Sequence, residues 1–481
     1  MSPVVRRALL VLVGVLLGQA AWIFALPPFR GADEFDHAFR AAGVAEGQWH
    51  LHEAARNGRG LLVWVPAQLQ AAATAQCASL AYTGPDNCRP VAEKDGQVRI
   101  ATAAGGYDPT YYWVVGTAAK PFHGATSLYA MRVATALMTA VLLAVGAGVL
   151  SLAGSGRWAT LGVVAALTPE VVYSTVVASP NGPEMCLGFV LWACLLALVR
   201  RPLAPRTERV VLGLGVAAAV PLAFMRFLGP LWIVCIVLSV LALHGWGPVW
   251  ALIVRRWREL AAGSALVALA TCWWAVWLVI SHHYRTPPGA PPQGGGQNPD
   301  LKLILDVPLW MLQMIGAFPY KDQPAPQWIY PLALFVIGLV TALACRDVAG
   351  RLQARRLRWI VVAVPVLPLV VAAAFMPSVG AVWQGRYELP FVIGVLPVCG
   401  LILDDRRFAP RGQLLLMLAC LGCLTVCQVA SVVHVMRMEL GRSVSTLHSG
   451  WTHPSDVVVG VLSLASCLVF ATITLSAART D

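Results

Sequence analysis

Apolar runs of about twenty residues recur along the chain, and they constrain its fold more than any other feature. The first covers positions 8–26, nineteen uncharged and mostly apolar residues. At about 1.5 Å per helical residue this matches a hydrocarbon core ~30 Å thick. The runs show no alternation of period two, which argues against a spanning barrel. With 58% hydrophobic and only 12% charged residues in 481, the pattern predicts an all-α polytopic membrane protein. Twelve spans (range 10–13) are expected near 8–26, 129–151, 158–177, 183–199, 209–225, 228–244, 261–281, 328–345, 359–377, 387–403, 413–434 and 456–477. Arg226 and Pro230 interrupt one long stretch, so the division between 209–225 and 228–244 is the least sharply defined.

Charge orients these spans. With the N-terminus cytoplasmic, inner segments hold 19 of the 35 basic residues and six acids, so the net charge of +12 splits into +13 inside and −1 outside. That is the positive-inside pattern. It predicts that both termini lie in the cytoplasm and assigns the basic balance to topology, with no nucleic-acid partner. Arg6-Arg7 before an apolar run resembles a signal peptide, but the run is long and no small-x-small site precedes Pro27, so a retained first helix is expected. The chain reads as a single membrane domain, 1–481, with two large extracytoplasmic segments.

The first of these, 27–128, follows Pro27-Pro28, which end the first helix. Asp33 to Gly47 reads as a helix, and Leu61 to Ala81 as one amphipathic or apolar segment on the membrane surface. Cys77 and Cys88 are the two cysteines of this loop, and on an oxidising face they predict a disulfide. The other ten cysteines lie in or at spans and read as small apolar packing residues. Among them Cys420, Cys423 and Cys427 share a helical face, where core packing outweighs a metal site. The second segment, 282–327, contains a Pro/Gly-rich stretch and then Leu301 to Phe318, read as an interfacial or re-entrant helix. No Walker-type loop occurs, which removes ATP-driven transport by this chain alone.

Four constellations could carry chemistry. Asp33, Glu34, Asp36 and His37 crowd the exit of the first span. A carboxylate among other acids gains proton affinity and suits a general base, although acids in a first helical turn also simply complement the helix dipole. Asp108, within Tyr107-Asp108-Pro109-Thr110-Tyr111-Tyr112, is either a second acid of the site or a turn residue. Arg386, in Trp383-Gln384-Gly385-Arg386-Tyr387-Glu388-Leu389-Pro390, either binds a lipid phosphate through its planar fork or anchors a helix end. Arg226 and Lys321 share its level. Glu170, within a span, and the Ser179-Pro180-Asn181-Gly182-Pro183-Glu184 loop complete the set.

The order of these motifs, from the Asp-Glu-x-x-His after the first span through the Pro-Asn-Gly-x-Glu loop to the late Gln-Gly-Arg-Tyr-x-x-Pro, resembles a bacterial family of predicted membrane proteins grouped with the GT-C glycosyltransferases. The resemblance runs from about Leu9 to Ile402 and implies a GT-C-like fold. It also implies sugar transfer from a polyprenyl-phosphate donor to a cell-envelope glycan or lipid acceptor. By resemblance Asp33 is the base, Glu34 supports it, and Arg386 holds the leaving phosphate with Lys321 or Arg226. The chain departs from some relatives around Asp108-Pro109 and at Asn181. A divalent metal on Asp33 or Asp36 is left open by the spacing. The rival readings are a flippase or proton-coupled transporter of a lipid-linked saccharide, with Glu170 relaying protons, and a non-catalytic scaffold for envelope assembly.

Overall fold

The structure is a computed structural model that describes residues 2–80, 83–281, 299–318, 323–346, 352–379, 383–406, 408–441 and 450–477. Lys321 and the Pro/Gly-rich stretch 287–296 lie outside the described residues. The first helix, α1 (Pro3–Ala25), starts on the Ser2 hydroxyl, which accepts the Val5 N–H, with Pro3 in the first turn. It stops where Pro27 forces Leu26 into an extended conformation, φ −103° and ψ 121°.

Beyond it the chain builds a cap from α2 (Glu34–Ala45), β1 (Leu61–Pro66), α3 (Ala67–Ala78), α4 (Pro85–Cys88), β2 (Ala92–Lys94), β3 (Gln97–Thr102) and α5 (Pro109–Ala119). The strands form an antiparallel sheet ordered β1-β3-β2, with Leu61 opposite Thr102 and Ala92 opposite Arg99. Phe29, Phe35, Phe39, Val63, Val65, Ile100, Tyr111 and Tyr112 close a core of its own. The sheet corrects the expectation of one segment over Leu61 to Ala81. Leu-Leu-Val-Trp-Val is rich in β-formers and ends at Pro66, so it pairs as a strand before the helix begins. Cys77 and Cys88 form a disulfide with Cα atoms 5.4 Å apart.

The bundle follows with α6 (Gly124–Ala153), α7 (Arg157–Ala166), α8 (Pro169–Ser174), α9 (Asn181–Arg200), α10 (Pro205–Met225), α11 (Gly229–His244), α12 (Trp246–Ser281) and α13 (Pro299–Gln313). Short strands β4 (Ala317–Phe318) and β5 (Gln323–Pro324) precede α14 (Ile329–Cys345), α15 (Leu352–Val379), α16 (Leu389–Val392), α17 (Val395–Asp404), α18 (Pro410–Gly441) and α19 (Asp456–Ser476). Among the described residues eight helices are long and apolar enough to cross a membrane, and four shorter apolar helices accompany them. Each of the twelve expected spans has a helical counterpart. In α9, 89% of the most apolar window is buried, against 17% in α12, so α9 is the axis of the bundle and α12 lies at its rim.

Two of the spans are broken. Between α7 and α8 the Thr168 hydroxyl caps Val171, Pro169 takes the first helical position, and Gln428 donates to the freed Leu167 carbonyl. Thr168 also donates to the Met314 carbonyl at 2.7 Å, so the break is where the 314–318 segment docks. The α16–α17 break sits at Gly394, where a Cβ would stand 2.3 Å from the Trp192 ring. Both breaks put irregular backbone inside protein, where its polar groups find partners.

Candidate functional site

The turn between α1 and α2 is held by one buried arginine. Arg132, on α6 and fully buried, donates to the Leu26 and Pro27 carbonyls, each at 2.8 Å. Its Nε and a terminal nitrogen grip the two Glu34 oxygens at 2.8 and 2.6 Å. Those oxygens also accept the Gly31 N–H at 3.1 Å and the Ala178 N–H at 3.2 Å. The Tyr173 hydroxyl accepts the Ala32 N–H at 3.0 Å, and Arg30 pairs with Glu439 at 2.9 Å. So constrained, the turn keeps two non-glycine residues in the left-handed region, Phe29 at φ 61° and Asp33 at φ 55°. Such residues cost about 1–3 kcal/mol each and persist where surrounding contacts over-determine them.

The consequence is the orientation of Asp33. Glu34 turns into the protein with 0% side-chain exposure, while its neighbour Asp33 keeps 39%. Asp33 Oδ2 accepts from an Arg386 terminal nitrogen at 2.8 Å, across 353 residues of sequence. Arg386 rests on a short helical turn, Gly385–Tyr387, just before α16. Gly385 is required there, because a Cβ would meet the Trp310 carbonyl at 2.1 Å, and its N–H donates to Gln313 Oε1 at 2.9 Å. The Arg386 Nε is buried and has no hydrogen-bond partner among the described residues.

Arg226, between α10 and α11, pairs with Glu184 on α9 at 2.8 Å. The Tyr387 ring lies near both guanidinium groups, 5.1 Å from Arg226 and 5.7 Å from Arg386. Glu170 accepts the Ala317 N–H at 3.0 Å and lies near enough to Arg386 for their charges to interact. Asp33, Arg386, Tyr387, Arg226 and Glu184 thus form one polar cluster where the cap meets the bundle.

Electrostatics differentiate its carboxyls. Burial alone would raise the Asp33 pKa, but the ion pair with Arg386, joined by the charge of Arg59, outweighs it and holds Asp33 below the ordinary value, as a carboxylate. Asp36 has no such dominant partner. Burial pushes it up to about 7, although its carboxylate accepts the Ala103 N–H at 2.6 Å. Burial also pushes His37 down to about 3, so its ring is neutral, with Nδ1 2.7 Å from the Tyr112 hydroxyl. Asp108 caps α5 by accepting the Thr110 N–H at 2.9 Å, and its other oxygen accepts from Trp273 Nε1 at 2.8 Å.

Among the described residues no three His, Cys, Asp or Glu side chains converge to hold a metal ion.

Several residues in and around the cluster carry no assigned role from sequence. Arg132 stands inside an apolar run, where an intramembrane arginine demands a partner, and that signal identifies it. Tyr387 and Glu184 lie in motifs quoted above without a role. Arg59 sits in a loop that carries no signal.

A cap with a small sheet on a bundle of apolar helices, two of them broken beside a buried charge cluster, defines a multi-pass helical membrane protein. The family model described as a predicted membrane protein (DUF2142) matches residues 16–395, and the chain belongs to that family. No curated protein matches the sequence. Two crystal structures of ArnT from Cupriavidus metallidurans are similar to it. The form bound to undecaprenyl phosphate is 17% identical over 96% of this chain and 76% of that one, with a TM-score of 0.43. The apo form is 16% identical over 90% and 74%, also at 0.43.

Two outcomes follow from the site's charges. Glu34→Ala or Arg132→Ala leaves one buried charge unpaired and should lower stability by about 3–5 kcal/mol, read as earlier thermal unfolding in detergent. Asp36 binds its proton more tightly folded than unfolded, so its contribution to stability falls as pH rises from about 4 through about 7. Asp36→Asn, which keeps the acceptor for Ala103, should flatten that part of the unfolding-temperature profile against pH. An unchanged profile would remove Asp36 as its source.

Proposed function

We propose that the chain is a membrane glycosyltransferase of the GT-C type. It moves a sugar from a polyprenyl-phosphate donor to a cell-envelope glycan or lipid acceptor at the outer face of a bacterial plasma membrane. One observation carries the reading: an ionised Asp33 and the Arg386 guanidinium meet at 2.8 Å where cap and bundle join. The charge asymmetry of the loops supports an outer-face location for that junction, with both termini inside, and the motif resemblance supports the reaction class.

In this reading the donor phosphate takes the place of Asp33 on Arg386, with Arg226 as the second guanidinium beside Tyr387. Planar guanidinium groups suit phosphate oxygens. Asp33, released from its ion pair, regains proton affinity and accepts the proton of the acceptor hydroxyl. The acceptor oxygen attacks the anomeric carbon from the face opposite the phosphate. The bond from that carbon to the phosphate oxygen breaks, and its electron pair leaves with the lipid phosphate, whose developing charge Arg386 stabilises. The configuration at the anomeric carbon inverts. Glu34 acts by holding the turn, since both its oxygens are engaged. His37 is neutral and orients on Tyr112.

The test is transfer from a polyprenyl-phosphate sugar by the purified protein in lipid nanodiscs. Asp33→Asn should lower the rate at least about 100-fold, the usual contribution of a general base. Arg386→Gln should lower it by a similar factor and also weaken lipid-phosphate binding. Full activity in Asp33→Asn would remove the base, and lipid-linked saccharide movement without transfer would favour a flippase.

A further inference from the structure

The loop 56–60 of the cap is clamped from two sides. On one side lies the turn Gly84 to Cys88. Asp86 Oδ2 accepts the Arg56 and Asn57 N–H groups at 3.1 and 2.8 Å. Asn87 Oδ1 accepts the Arg59 N–H at 2.8 Å, and Asn87 Nδ2 donates to the Arg59 carbonyl at 2.9 Å. The two backbones touch: a Cβ on Gly84 would stand 2.3 Å from the Asn57 carbonyl oxygen. The turn is itself fastened to α3 by the Cys77–Cys88 disulfide and by Gln70, whose Nε2 donates to the Cys88 carbonyl at 2.9 Å.

On the other side the loop meets the residues that hold Asp36. Gly60 has φ +88°, and a Cβ there would lie 2.0 Å from the Thr102 carbonyl oxygen. The Thr102 hydroxyl donates to the Asp36 carbonyl at 2.7 Å, and the Ala103 N–H donates to the Asp36 carboxylate at 2.6 Å. Between these contacts the Arg59 guanidinium lies close enough to Asp33 and Asp36 for its charge to act on both. A rigid path of covalent and hydrogen bonds therefore runs from the disulfide to a cation beside the site.

We propose that Arg59 is a positioning residue of the Asp33 site, set in place by the Cys77–Cys88 turn, so that the disulfide governs how fast the site works. The inference rests on the reading that Asp33 carries the chemistry. When a phosphate takes Arg386, Asp33 loses its nearest strong counter-charge. Arg59 is bound to the cap rather than to the phosphate, and it stays to hold the two carboxyls in place. Opening the disulfide returns conformational freedom to the eleven-residue separation it closes. The turn, the loop and the guanidinium then move together.

The experiment compares the full-length wild type with R59Q, R59K, C77S/C88S and the combined R59Q/C77S/C88S variant. Hydrogen exchange and polyprenyl-phosphate-sugar transfer are read on the same samples. C77S/C88S should speed exchange at the Arg56, Asn57 and Arg59 amides, and R59Q should speed it at Ala103, which is bonded to Asp36. R59Q and C77S/C88S should each lower kcat by about 10-fold, or about 1.4 kcal/mol, with little change in KM for the lipid donor. R59K should recover part of the loss. The combined variant should be no slower than the slower of its parents, because both act through one guanidinium.

Unchanged exchange at these amides overturns the brace. Faster exchange with wild-type kcat, a loss confined to KM, or fully additive losses overturn the link to the site. If the wild type transfers no sugar, the underlying reading fails by itself, and the exchange at Ala103 in R59Q still decides whether Arg59 holds the acidic pair.

Discussion

The buried pair between Arg132 and Glu34 is the interaction on which the site depends. Neither side chain is exposed, and a buried ion pair of this kind contributes little net stability by itself. Its effect is conformational. By bonding the Leu26 and Pro27 carbonyls as well as Glu34, Arg132 ties α6 to the end of α1 and to the start of α2. The backbone between them turns so sharply that Asp33 enters a left-handed conformation and faces away from Glu34. Two adjacent acids thereby acquire opposite environments, one enclosed and doubly bonded, the other open to Arg386.

The second half of the site is assembled around broken helices. The Gly385–Tyr387 turn precedes α16, and the α7–α8 break leaves Thr168 and Glu170 to anchor the 314–318 segment. Gln313, at the end of α13, then holds Gly385. Arg386 is positioned through this chain of contacts, so residues remote in sequence converge without a continuous helix delivering them. Arg226 and Glu184 form a second ion pair on the other side of Tyr387. Each guanidinium of the cluster has a carboxylate partner, and an incoming anion has to compete with it.

Much of the architecture is legible in the sequence because a membrane leaves few alternatives. Hydrocarbon thickness sets helix length, so twelve helical positions follow from composition and spacing. The Asp33–Gly47 helix is legible from its charge pattern, and Asp33 and Arg386 stand out as charges beside apolar spans. What is not legible is long-range and local at once. Leu61 to Pro66 is apolar enough for a helix, and only its partner strand Gln97–Thr102 makes it a strand. The left-handed Asp33 has no sequence mark, since it arises from contacts with α6 and with the 178 loop. Glu34 reads as a working acid, although Arg132 engages it. Arg59 is invisible until the glycines at 58, 60 and 84 let three backbones touch.

The central claim is that Asp33 and Arg386 act as one unit on a lipid phosphate. Initial transfer rates of the wild type, Asp33→Asn, Arg386→Gln and the double variant, measured with one polyprenyl-phosphate sugar donor, test it most directly. The double variant should be no slower than the slower single variant, as for residues that serve one transition state. Losses that multiply, or a double variant as active as the wild type, would contradict it.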